Sequence, residues 1–246
     1  MKLSLSGVFA DAGAMWRNHR DILSAIAGVF FVVPMLGILF LMAQSGLPAD
    51  PDPVKLNEAA RKFYEDNFLW FLLANLLIDF GTFTIFILFL QPGTRTLGET
   101  MALTLRRLLP FVVVDVLASI LFGIGFSLFV LPGLFIFGRT WLAAPALAAN
   151  PDQGILGAFR EGWRRSFGFR WLVLLAAMAL TILTAAIAIL LASRLLLGLL
   201  VMVAGDNQFV EMAGYVLIAL FGGIAWVTTV LLRVAAYRRT EPSTGI

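Results

Sequence analysis

Apolar positions in this chain come in blocks as long as a bilayer is thick, separated by short polar and basic segments. A membrane crossing needs about 20 mostly apolar residues, and that rule divides the chain into six helical spans. The first runs over about 22–44, with Pro34 as a tolerated kink, and the second over about 68–91, ending at Pro92-Gly93. The third begins at Pro110, where proline suits a first helical turn, and reaches about 130. Leu131-Pro132-Gly133 reads as a tight reversal into a fourth span that Asn150-Pro151-Asp152 stops after 149. The fifth span covers about 171–192 and the sixth about 211–234. The apolar stretch 195–204 is too short to cross alone; it is the tail of the fifth helix or an interfacial segment. Residues 45–67, with Pro48, Pro51 and Pro53 and a net acidic balance, read as a polar loop.

Ahead of the first, third and fifth spans lies an amphipathic basic segment. In 153–170, Ile155, Leu156, Phe159, Trp163 and Phe167 share one helical arc, opposite Arg160, Glu161, Arg164 and Arg165. Leu97, Met101, Leu105, Leu108 and Leu109 stand against Glu99, Arg106 and Arg107, and Val8, Ala12, Met15 and Trp16 against Arg17 and Asn18. Helices of this kind lie in the interface with arginines among anionic headgroups, so Arg106, Arg107, Arg160, Arg164 and Arg165 are expected to face anionic lipid. The expected fold is an all-α polytopic bundle: one membrane domain over 1–246, with an amphipathic helix in 1–21 and hairpin one in 22–91. An amphipathic helix plus hairpin follows in 95–149, another in 153–234, and a cytoplasmic tail in 235–246. The unit of amphipathic helix, span, hairpin and span would then be used three times, as in many membrane bundles.

Composition agrees. The chain is 60% hydrophobic and 13% charged, about half the charged share of soluble domains, and its mean hydropathy is +0.92. Five to seven spans use up 246 residues, which leaves no room for a soluble catalytic domain. The first apolar stretch begins only after Arg17 and Arg20, with no A-x-A site behind it, so it is expected to be retained. Thirteen lysines and arginines fall on one side of the six-span scheme and four (Lys55, Arg61, Lys62, Arg194) on the other, which points both termini to the cytoplasm. The same asymmetry explains the basic pI better than nucleic acid does. With no cysteine and His19 as the only histidine, thiolate chemistry and a histidine metal cage are excluded. No catalytic, metal or nucleotide motif is present, so neither a cofactor nor enzymatic activity is expected.

Ionisable groups in hydrocarbon cost about 2.5–3.5 kcal/mol each at mid-depth, so three stand out. Asp79 lies about 11 residues into the second span with Asn75 one turn away on the same face, and Arg139 about eight residues into the fourth. At about 1.5 Å per residue both sit at comparable depth, so Asp79 and Arg139 are expected to pair, as a structural lock or as part of a polar cavity. Asp115, near the inner end of the third span, is expected at the headgroups, away from Asp79. Gly123, Gly125, Ser127, Gly222 and Gly223 read as close-packing positions. Trp70, Trp141, Trp163, Trp171 and Trp226 read as interfacial belts.

The run LPGLFIFGRTWLAAPALAANPDQGILGAFREGWRRSFGFRW resembles the membrane-domain family associated with some glycerophosphoryl diester phosphodiesterases, which overlaps with the YciC-like inner-membrane proteins of bacteria. The resemblance rests on Pro132, Gly133, Arg139, Pro145, Ala158, Gly162, Trp163 and Gly168, with Tyr237-Arg238-Arg239 as a similar carboxyl end. It covers roughly 93–239. It implies a six-helix bacterial inner-membrane protein, with Pro132, Gly133 and Pro145 as turn and kink positions. It does not imply phosphodiesterase activity, which belongs to a separate soluble barrel in that family. Three roles stay open: a non-enzymatic protein of envelope or lipid homeostasis acting through membrane lipids or a protein partner, a small transporter with a mid-membrane polar site, or an anchor for a separate enzyme.

Overall fold

In the computed structural model, which describes residues 3–45, 53–93, 95–205 and 207–240, the chain is helical with no strand among the described residues. Lys2, Pro48, Pro51 and the end of the tail beyond Thr240 lie outside those residues. Six helices are long and apolar enough to cross a membrane. Nine helices, with a short 3-10 turn at Pro151–Gln153, make up most of the described chain: α1 (Leu5–Gln44), α2 (Pro53–Asp66), α3 (Phe68–Leu90), α4 (Leu97–Leu128), α5 (Val130–Thr140), α6 (Ala143–Ala149), α7 (Gly154–Arg165), α8 (Arg170–Val203) and α9 (Gln208–Arg239). The fourth span is α5 and α6 together.

Local chemistry explains most boundaries. Ser4 caps α1 by accepting from the Gly7 N–H, and Thr96 with Glu99 forms a reciprocal capping box at the start of α4. Pro34 has no N–H for the carbonyl of Phe30, and the chain absorbs the defect in a π turn at Gly28–Val32. The segment at 45–67, expected as a loop, contains α2 instead, held in part by the Arg61–Glu65 pair. The stretch after Ala192 passes through a π turn into Gly198–Ala204 and is the tail of the fifth helix. Reversal between the third and fourth spans occurs three residues before the Pro-Gly pair, at Phe129, whose backbone is extended. Pro132 sits in the first turn of α5. Gly133 is a packing position: a Cβ there would stand 2.8 Å from the Phe126 backbone. Gly125 faces it, so the two glycines let the hairpin close.

The amphipathic segments differ from one another. The second runs without a break into its span as the leading part of α4, and the first joins its span within α1 across a kink at His19 (φ −132°, ψ 26°); the third is a separate helix, α7, released into α8 through Gly168 in the left-handed region (φ 68°). The first does not lie on lipid. Val8, Ala12 and Met15 are buried in the bundle, and Asp11 pairs bidentately with Arg239 at 2.5 and 2.9 Å, tying the start of α1 to the end of α9.

The outward faces are what a bilayer requires. On α4, Val116, Ile120, Ile124 and Leu128 are each at least half exposed, a continuous apolar stripe too large for a surface in water. Inside, the Phe83 and Phe111 rings stack at 4.4 Å, and Thr84 and Thr104 meet at 3.1 Å between the second and third spans.

Candidate functional site

All six spans contribute to one partly enclosed cavity of about 440 Å³. Helical periodicity selects the lining. Asp79 and Thr82 present one face of α3; Phe111, Asp115, Ser119 and Phe122 present one face of α4; Gly222, Trp226, Thr229 and Arg233 form a stripe along α9. Met35 of α1, Phe137, Thr140 and Trp141 of the fourth span, and Met178 and Thr181 of α8 close the remainder.

Its chemistry is lopsided toward acceptors. Thr140, Thr181 and Thr229 each donate their hydroxyl hydrogen to a carbonyl one turn back in their own helix, so their oxygens offer lone pairs to the cavity. Thr82 accepts from the Trp226 indole N–H at 3.0 Å. Among the described residues no protein donor lies within hydrogen-bonding distance of the Asp79 or Asp115 carboxylate, although Asp115 and Arg233 both act electrostatically on Asp79. Arg233 is the one cation in the lining. Its Nε donates to the Trp141 carbonyl at 3.1 Å, and its guanidinium lies over the rings of Phe86 and Trp141.

That Trp141 carbonyl is free for a stated reason. Pro145, four residues on, has no N–H to give it, so the helix breaks after Thr140 and restarts at Ala143. Pro145 therefore acts as the expected kink, and the kink creates the acceptor that holds Arg233 at the cavity wall.

The expected Asp79–Arg139 pair does not form. Phe137, Thr140 and Trp141 face the cavity, which turns Arg139 toward α7. There its guanidinium lies 4.5 Å from the centre of the Trp163 ring and 5.8 and 5.6 Å from those of Phe135 and Phe167. Asp115, expected at the headgroups, is instead in the same cavity as Asp79. Asn75 is apart from both, exposed and donating to the Phe71 carbonyl of its own helix. Trp141 is buried and Trp226 lines the cavity, so neither belongs to an interfacial belt.

The basic segments divide in a similar way. Arg106, Arg160 and Arg164 are exposed and Arg107 half-buried, but Arg165 is buried and does not face lipid. It donates to the Tyr237 carbonyl at 2.8 Å and to Glu161 at 2.6 Å, with its guanidinium 3.8 Å from the Tyr237 ring centre. Gly162 lets α7 approach the backbone of Leu142 and Ala143 closely. Arg139, Pro145, Gly162, Trp163 and Tyr237, quoted above for the family resemblance, thus meet at one junction of the fourth span, α7 and α9. Sequence reading assigned Arg233 only to the orientation tally. Its signal was a lone cation inside VTTVLLRVAAY. No group of three or more metal-ligating side chains occurs among the described residues. Comparison of the chain with family models, with curated proteins and with solved structures finds no match.

Proposed function

We propose that this integral membrane protein is a non-enzymatic transporter that takes an organic monocation into the Asp79–Asp115 cavity. The cavity itself carries the reading. Two carboxylates kept inside an apolar bundle, each costly by about 2.5–3.5 kcal/mol on insertion scales and neither bonded by a protein donor, need a compensating charge. Asp79, Asp115 and Arg233 leave a formal balance of −1 when all are ionised, which one monocation or one proton cancels. The rings of Phe111, Phe122, Phe137 and Trp226 add faces suited to a cation. A volume of about 440 Å³ lies within the usual range of small-molecule sites, about 300–1,000 Å³. A scaffold or an enzyme anchor would need no such cavity. With the arginine asymmetry and the membrane-domain resemblance, we assign the protein to a bacterial inner membrane with both termini in the cytoplasm.

Ethidium, an aromatic monocation, is a suitable probe. Fluorescence titration of the protein in nanodiscs is expected to show saturable binding that weakens about tenfold or more in Asp79→Asn or Asp115→Asn, the loss of one charged contact, and that protons compete away. Failure of the wild type to bind ethidium saturably, or equal affinity in both variants, would contradict the proposal.

A further inference from the structure

Arg139 is the most isolated charge in the described chain. The residue is 4% exposed, its Nε is buried with no partner, and the structure gives none of its N–H groups a protein acceptor. Aromatic faces supply part of the compensation: Trp163, Phe135 and Phe167 surround the guanidinium. They leave five N–H donors with no hydrogen-bond acceptor in a region where water is scarce. Nε is the one nitrogen of the group that is sealed without a partner, so the terminal nitrogens Nη1 and Nη2 keep access to the surface.

Two contacts fix the level of that opening. Ser166, at the end of α7, donates its hydroxyl to the Arg139 carbonyl at 3.1 Å, and Gly138 packs against Trp171, in the first turn of α8. Arg139 therefore opens beside the amphipathic helix, near the start of the fifth span. Its rim is made of rings that stay partly open to the surface: Phe167 is 74% exposed, Trp163 41% and Phe135 39%. Phe169, two residues after Phe167, is 84% exposed. Rings at this level sit among acyl chains and glycerol groups.

We infer that the Arg139 guanidinium binds the phosphate of an anionic membrane phospholipid, with Phe135, Trp163 and Phe167 seating the upper part of its acyl chains. The phosphodiester accepts from Nη1 and Nη2 as a two-pronged, charge-assisted pair, for which a planar guanidinium is suited and an ammonium is not. A lipid satisfies both the cation and the apolar rim, whereas a free phosphate satisfies only the cation. The site is separate from the Asp79–Asp115 cavity, and it moves lipid recognition from Arg165, which the protein itself occupies, to a residue in the fourth span.

The test is native mass spectrometry of protein exchanged into micelles containing phosphatidylglycerol, with diacylglycerol and inorganic phosphate as separate arms. The wild type is expected to retain one phosphatidylglycerol through detergent washing, to retain no diacylglycerol, and to keep the lipid in excess inorganic phosphate. Arg139→Gln should lower occupancy about tenfold or more and Arg139→Lys should restore it only in part, while Arg164→Gln leaves it unchanged. Equal retention of diacylglycerol by the wild type, displacement of the lipid by inorganic phosphate, or undiminished retention by a folded Arg139→Gln would each overturn the inference. The wild-type arms decide the matter alone if that variant does not fold.

Discussion

Glu161 illustrates how single residues hold the basic end together. Burial acts to raise its pKa, but hydrogen bonds from Arg165 and Arg164 and the charges of both outweigh that and hold the carboxyl below the ordinary glutamate value of 4.5. A depressed carboxylate stabilises the folded state fully above its ordinary pKa, and the contribution is lost as pH falls through the depressed one. Acidification below about 4.5 should therefore loosen α7 from Tyr237, seen as faster amide exchange in 154–165. Glu161→Gln should give that faster exchange at neutral pH and remove the pH dependence; a wild-type-like acid response in the variant would refute the assignment. Asp79 and Asp115 pose the opposite problem at the same scale. They are carboxylates for which the described protein has no donor, and for that reason they belong to ligand chemistry rather than to stability.

The broken fourth span is the element on which the site depends. Its two pieces enclose Trp141-Leu142, and Pro145 keeps the Trp141 carbonyl available to Arg233. Pro145→Ala returns an N–H that competes for that carbonyl and favours a continuous helix. The variant is expected to fold, because the change adds no bulk, but to bind ethidium several-fold more weakly as Arg233 leaves the wall. Unchanged affinity together with unchanged exchange at 141–146 would show that the break has another cause. Much of this was legible beforehand: hydropathy located all six spans, and the family resemblance implied Pro145 as a kink position. Which face of a span looks inward was not legible, since every face of such a helix is apolar. Depth counting along the chain consequently paired Asp79 with Arg139, although a single residue step, about 100° around the helix, separates cavity-facing Thr140 from Arg139 facing α7. The helix in 53–66 was hidden for a different reason. Its polar composition and flanking prolines suggest a loop, while (i, i+4) contacts such as Arg61–Glu65 support a helix.

As a whole, the molecule is a bundle with apolar residues outside and its polar chemistry inside, which reverses the pattern of a protein in water. The apolar stripe on α4 and the rings beside α7 are exposed on the outer surface, and Asp79, Asp115 and Arg233 line a hollow built from every span. Transport requires the hollow to be reachable by water while the outer face stays dry. The chain contains no cysteine, so single cysteines can report on this directly in lipid bilayers. A water-soluble, charged methanethiosulfonate reagent is expected to label Ser119→Cys and Thr229→Cys in the cavity, to leave Leu183→Cys on the lipid face of α8 unlabelled, and to be slowed at the first two by ethidium. Labelling of all three alike, or of none, would contradict the account.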